Sequence, residues 1–166
     1  ISKILCYSLN THTKKQGFLN TAVGNMMADA VFELTEPILK EQHDLDLDMV
    51  LLNHGGIRSA LPSGPVRIET AFKIMPFENE VVVAKMRGSA VMDMVNYLIK
   101  AQLAHPIAGM ELQITNDGKL EKLRIQNKLL NPKKFYNVAT NDYLFNGGDR
   151  MNFFKKSETV FRFDYK

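Results

Sequence analysis

The stretch Asn53-His-Gly-Gly-Ile-Arg58 brings three useful kinds of group together. Gly55 and Gly56 let backbone N–H groups come close to a ligand, because no Cβ stands in the way. The Asn53 amide can both donate and accept. The Arg58 guanidinium offers a planar fork of donors that suits phosphate or carboxylate. Such a loop can hold an anion. A tight turn carrying a surface arginine is the plainer alternative.

Two further stretches carry groups that would complete a site. In Met75-Pro-Phe-Glu78, Phe77 follows a proline and can either present its ring or fill the core. In Asn141-Asp-Tyr143 and Asn146-Gly-Gly-Asp149, a second ring stands just ahead of a carboxylate. A ring can stack on a base, and a carboxylate can accept both hydrogen bonds of a ribose diol. A Gly-Gly-Asp sequence can also be no more than a turn. Jointly the three stretches supply an anion clamp, two rings and a carboxylate. A base held between rings gains ~1–3 kcal/mol per stacking contact.

These residues need elements to hold them. Apolar residues at three- and four-residue spacing predict a helix from Leu19 to about Gln42, capped by Asn20 or Thr21 and bent or interrupted at Pro37. Its apolar face includes Val23, Met26, Met27, Ala30, Val31 and Leu34. Asp48–Asn53 reads as a buried strand running straight into the glycine loop. Pro62-Ser-Gly-Pro65 reads as a turn. A short helix is expected at Ile68–Ile74, a strand at Glu80–Arg87 and a helix from Ser89 to about Ala104. Met110–Thr115 and Leu120–Gln126 flank a hairpin turn. Phe135–Thr140 is a strand opening into a polar loop over 141–149, and Glu158–Phe163 is a last strand. This order favours a single α+β domain with a mixed sheet flanked by helices.

Composition narrows the classes. A chain of 166 residues, 45% apolar and 23% charged, is of ordinary globular make-up. The net charge of +3 comes without a Lys/Arg cluster interleaved with aromatics, which argues against a nucleic-acid partner. With a single cysteine, Cys6, no internal disulfide or paired-thiolate zinc site can form, and the thiol has no evident activating partner. No apolar run is long enough for a transmembrane segment. Residues 1–7 are too short, and lack the basic start, for a signal peptide. The chain begins with Ile, as a processed product or a fragment would.

The ordered motifs resemble the C-terminal, substrate-binding domain of the 5′-nucleotidase and UDP-sugar hydrolase family. They are Val23-Gly-Asn-Met-Met-Ala-Asp-Ala30, Asn53-His-Gly-Gly-Ile-Arg58, Met75-Pro-Phe77, Met86-Arg-Gly-Ser89 and Asn141-x-Tyr-Leu-x-Asn-Gly-Gly-Asp149. The resemblance covers about residues 17–164. It implies that Asn53 and Arg58, with Gly55 and Gly56 in their loop, contact the phosphate side of a nucleotide. It implies that Phe77 and Tyr143 cover the two faces of the base, that Asp149 binds the ribose hydroxyls, and that Gly109 lies beside the nucleoside pocket. Family members often have Phe where this chain has Tyr143. Where the family commonly carries an Arg ahead of the Gly24-Asn25 pair, this chain has Gly17, with Lys14 and Lys15 as its nearest cations. The family's Glu near Asn20 is also missing.

In the family, hydrolysis uses two divalent metal ions in a separate N-terminal metallophosphatase domain. The resemblance therefore implies such a domain as partner, in the same chain or another, with the cofactor metals there. It also implies an exported location, periplasmic or at the cell surface. The four histidines here, His12, His43, His54 and His105, are far apart in sequence and form no ligand motif. His54 reads as a spacer. No catalytic residue and no metal ligand is expected in the chain, and by itself it is expected to be inactive. The alternative is a non-catalytic module that binds nucleosides or nucleotides.

Overall fold

A computed structural model describes residues 3–163; Ile1 and residue 164, where the resemblance ends, lie outside the described residues. The elements in chain order are β1 (Ile4–Ser8), α1 (Ala22–His43), β2 (Met49–Leu51), β3 (Gly64–Arg67), α2 (Ile68–Ile74), β4 (Val81–Arg87), α3 (Gly88–Ala101), β5 (Ile107–Ala108), β6 (Met110–Ile114), β7 (Leu120–Ile125), β8 (Lys128–Leu129), β9 (Phe135–Asn141), α4 (Asp142–Phe145) and β10 (Glu158–Arg162). Short 3-10 turns occupy His54–Gly56, Gly148–Arg150 and Asn152–Lys156. The central sheet has the order β10-β4-β9-β2-β5. Its β2–β9 pair is parallel and its other pairs are antiparallel. The fold is α+β with a mixed sheet.

Both faces of that sheet are covered, which is why β2 is a run of apolar residues without alternation. Met49 and Leu51 pack with Val91, Met94 and Leu98 of α3. Val50 and Leu52 point the other way and pack with Ala28 and Leu39 of α1. The period-2 geometry of a strand thus divides one apolar run between two cores.

Several expectations are corrected. Helix α1 begins at Ala22, after Thr21, whose hydroxyl accepts from the Gly24 N–H at 3.0 Å. It runs on through Pro37. The proline and Glu33, whose carbonyl loses its usual partner, are both exposed, so water can satisfy that carbonyl. Leu34 is not on the buried face; it is 72% exposed. Helix α3 ends at Ala101, short of Ala104, where Gln102 takes the left-handed conformation. The Pro62–Pro65 stretch, expected as a turn, leads into β3, which pairs with β1; neither strand was expected. The region 141–149 is not simply a loop, since α4 and a 3-10 turn lie in it. Among the described residues, no helix is long and apolar enough to cross a membrane.

Asp48 anchors the parallel pair. Its backbone N–H donates to the Asn137 carbonyl at 2.9 Å, and its Oδ2 accepts from the Asn137 N–H at 2.8 Å. Burial raises the Asp48 pKa, against the lowering effect of that hydrogen bond. A raised carboxylate pKa contributes stability at low pH that is lost as pH rises through the folded value. Asp48→Asn keeps an acceptor and removes the charge. It is expected to raise the melting temperature slightly at pH 7, with the gain vanishing near pH 3. A variant that melts lower at pH 7 would show that the carboxylate is needed as a charge.

Candidate functional site

The parallel pairing brings the C-terminal ends of β2 and β9 side by side, and both strands lead into asparagines. Asn53 Oδ1 accepts from Asn141 Nδ2 at 3.1 Å, and Asn141 Oδ1 accepts from the Leu144 N–H at 2.8 Å, capping α4. From Asn53 the chain makes one 3-10 turn, in which the Gly56 N–H donates to the Asn53 carbonyl at 3.1 Å. A Cβ at Gly56 would lie 2.7 Å from Asn53 Oδ1, so glycine is what lets the Asn53 side chain fold back over its own turn. The Arg58 N–H donates to the Ile74 carbonyl at 2.7 Å, which fastens the loop to the end of α2. The Arg58 guanidinium sits 5.1 Å from the centre of the Phe77 ring.

The opposite wall comes from the end of β9. The Asp142 N–H donates to the Glu80 carbonyl at 2.9 Å, and the Glu80 N–H donates to Asp142 Oδ1 at 3.2 Å. These two bonds hold the Phe77–Glu80 segment beside α4, which carries Tyr143. A Cβ on Gly148 would lie 2.5–2.6 Å from atoms of the Tyr143 ring. The ring therefore rests on bare glycine backbone. Its hydroxyl donates to Asp149 Oδ1 at 2.9 Å and accepts from the Asp149 N–H at 3.3 Å. Asp149 and Arg150 both take the left-handed conformation, at φ 50° and 61°. The Tyr97 hydroxyl donates to the Asp149 carbonyl at 2.7 Å, and burial raises the Tyr97 pKa.

These two walls enclose a cavity of about 280 Å³. Asn53, Gly55, Arg58, Phe77, Tyr143 and Asp149 all line it. Phe77 and Tyr143 are 44% and 47% exposed, so both rings are partly open to solvent. Three larger hollows, of about 680, 600 and 480 Å³, have no arginine in their walls. The smaller cavity is the one that sets rings, guanidinium, amide and carboxylate around a common space. Gly56 stands behind Asn53 and is not part of the lining. Gly109 is elsewhere. At φ 75° it joins β5 to β6, where a Cβ would lie 2.3 Å from the Asp48 carbonyl oxygen, and it opens on the 680 Å³ hollow. Its glycine identity is thus explained by backbone approach. Asn79, which sequence reasoning missed, adds a second amide to the cavity. Its only signal was its place two residues after Phe77.

Behind the glycine loop lies a buried histidine. His105 is 4% exposed, and its Nδ1 accepts from the His54 N–H at 3.2 Å. The His54 ring itself lies with Nδ1 3.2 Å from the Ala104 carbonyl oxygen. Among the described residues, no group of three or more His, Cys, Asp or Glu side chains could hold a metal ion. Cys6 is an exposed free thiol.

A family model described as the 5′-nucleotidase C-terminal domain matches residues 7–156. Protein UshA of Escherichia coli strain K12 is 30% identical over 141 residues, which is 81% of this chain and 23% of UshA. Cell wall protein Lmo0130 of Listeria monocytogenes is 27% identical over 157 residues, covering 86% of this chain and 19% of that protein. The crystal structure of a 5′-nucleotidase precursor from Thermus thermophilus superposes with a TM-score of 0.81 at 18% identity, covering 98% of this chain and 34% of that one. At that identity the last likeness is one of fold. The chain spans about a fifth of the length of the two curated relatives.

Proposed function

The chain belongs to the 5′-nucleotidase C-terminal domain family, and on that premise we propose that it is the domain that holds the base and ribose of a nucleotide for phosphate-ester hydrolysis. The observation that carries this reading is one cavity that brings together two partly exposed rings, with Asp149 on one wall and Arg58 on the other. Phe77 and Tyr143 would stack on the base. Asp149 would accept from the ribose hydroxyls, and Asn53 and Arg58 would meet the phosphate side, with Gly55 allowing close backbone approach. Asn79 is placed to offer its amide to the ligand as well.

Hydrolysis itself would belong to a metallophosphatase domain, joined in the same polypeptide or supplied by another, which would hold two divalent metal ions. This chain alone would then be inactive. The role would be in nucleotide breakdown outside the cytoplasm, a location supported by the relative named as a cell wall protein. A second reading, a nucleoside-binding module with no hydrolytic partner, draws support from Gly17 standing where the family commonly has an Arg.

Calorimetric titration with adenosine and AMP tests both readings. Measurable binding of adenosine is expected, weakened about 10- to 100-fold by Phe77→Ala through the loss of one stacking face. AMP binding no tighter than adenosine would favour the second reading. A folded chain that binds neither ligand would sink both.

A further inference from the structure

We infer that His105 is a positioning residue for the nucleotide loop, its neutral imidazole serving as the acceptor that holds the His54 N–H and so fixes the turn carrying Asn53, Gly55 and Arg58. The part played by the cavity rests on the proposed function; the hold on the loop does not.

The geometry begins with β2 and β5. Their antiparallel ladder pairs Val50 with Ala108 and Leu51 with Ile107. It continues one step, with the Leu52 N–H donating to the Pro106 carbonyl at 2.9 Å. Beyond that the backbones stop pairing, because residues 54–56 turn into the 3-10 helix. The first N–H groups of any helical turn lack partners inside it. His54 is the first residue of this turn, and its N–H would be stranded were it not for His105 Nδ1. The imidazole thus extends the ladder by a side chain where backbone pairing has ended. Pro106 restricts His105 to extended backbone, which keeps the ring on course.

Accepting through Nδ1 obliges the neutral ring to carry its proton on Nε2. A doubly protonated ring has no lone pair for His54 and would set N–H against N–H. Nε2 is buried and makes no hydrogen bond. Burial, above all, lowers the His105 pKa; Asp149 opposes this, His54 adds to it, and the Leu52 carbonyl pulls weakly the other way without bonding Nε2. The groups facing the ring are therefore His54 from the loop, Tyr97 from α3 with ring centres 5.9 Å apart, and Asp149 from the opposite wall. Asp29 and Glu121 share the hollow onto which His105 opens. A lowered pKa means that the unfolded chain takes the proton first. Native stability and loop order are then present above the ordinary histidine range and decline as pH falls through the lowered value.

Two variants at His105 test this at pH 8, and a third, at His54, tests the acid response. His105→Asn retains an acceptor oxygen close to the place of Nδ1, and His105→Leu removes it. Amide hydrogen exchange at His54 and Gly55, and adenosine affinity, are the readouts. His105→Asn is expected to match the natural chain in both at pH 8, with its affinity and its protection relative to the intrinsic exchange rate staying flat down to pH 5. His105→Leu is expected to speed exchange at His54 and to weaken adenosine binding about fivefold to tenfold, the effect of one lost hydrogen bond. His54→Gln keeps the backbone N–H, so it should retain whatever acid response the natural chain shows. Equal exchange at His54 in the Leu and Asn variants would overturn the inference, as would an acid response that disappears with His54→Gln. If adenosine fails to bind the natural chain, the proposed function fails while the exchange measurement still decides the role of His105.

Discussion

Asp149→Ala is expected to weaken adenosine binding about 10- to 100-fold, the usual worth of hydrogen bonds to a charged group. The carboxylate is not free to wander. Its Oδ1 accepts from the Tyr143 hydroxyl at 2.9 Å, and its carbonyl accepts from Tyr97 at 2.7 Å. It would therefore meet a ribose already oriented, with little ordering left to be done on binding. The residue also lies at φ 50°, where Asp and Asn are tolerated better than Ala. Asp149→Asn separates the two effects, since it keeps the backbone preference and an acceptor for Tyr143 but loses the charge. Calorimetry with adenosine and with 2′,3′-dideoxyadenosine gives the check. Substitution at Asp149 should cost the ribonucleoside heavily and the dideoxynucleoside little. An equal loss for both would mean that Asp149 does not read the diol.

Gly88→Ala is expected to cost about 3 kcal/mol of stability by overpacking. For a domain of this size that lowers the melting temperature by about 6–12 °C. A Cβ there would lie 2.1 Å from the Asn131 carbonyl oxygen and 2.9 Å from Pro132 Cα, both backbone atoms. The approach is close because the start of α3 is tied to that loop. The Gly88 N–H donates to the Lys134 carbonyl at 2.7 Å, and the Ser89 N–H to the Pro132 carbonyl at 3.0 Å. The loop is pinned in turn by the Tyr136 hydroxyl, which accepts from the Asn131 N–H at 2.9 Å. It cannot retreat without giving up these bonds. Urea denaturation should show a lower midpoint with an unchanged slope. An exposed neighbour, Ser89→Ala, serves as control. If Gly88→Ala unfolds with the natural chain, the loop does not pack as described.

What was legible in the sequence follows from how local each cause is. The apolar run of β2 and the spacing along α3 report burial directly, and both elements lie close to where the pattern places them. The glycine loop was visible because its residue types act through their own backbone. Strands β1 and β3 were not, because their side chains barely enter the core: Leu5 and Tyr7 are exposed, so no alternation of burial marks the first. Pro37 does not interrupt α1, because the proline is exposed and its helix-breaking rule is only local. Gly109 does not line the 280 Å³ cavity, and the nearby Asp48 carbonyl accounts for its missing side chain. Asn79 and His105 went unnoticed as site residues since nothing in their neighbours' types signals a cavity. They matter through which segments come together, and that is decided by pairings between distant parts of the chain.

The hydrogen bond between Asn53 and Asn141 joins residues 88 positions apart, across the one parallel pair of the central sheet. Contacts this distant in sequence are slow to form, because a long loop must close before they are rewarded. During synthesis the loop at 53–58 leaves the ribosome well ahead of Tyr143 and Asp149, and a nascent chain that has not reached Asp149 lacks the second wall. If the cavity binds a nucleoside as proposed, that competence would arrive late in folding. A nucleoside would be a ligand of the finished domain alone, protecting it from proteolysis while leaving its nascent forms unprotected.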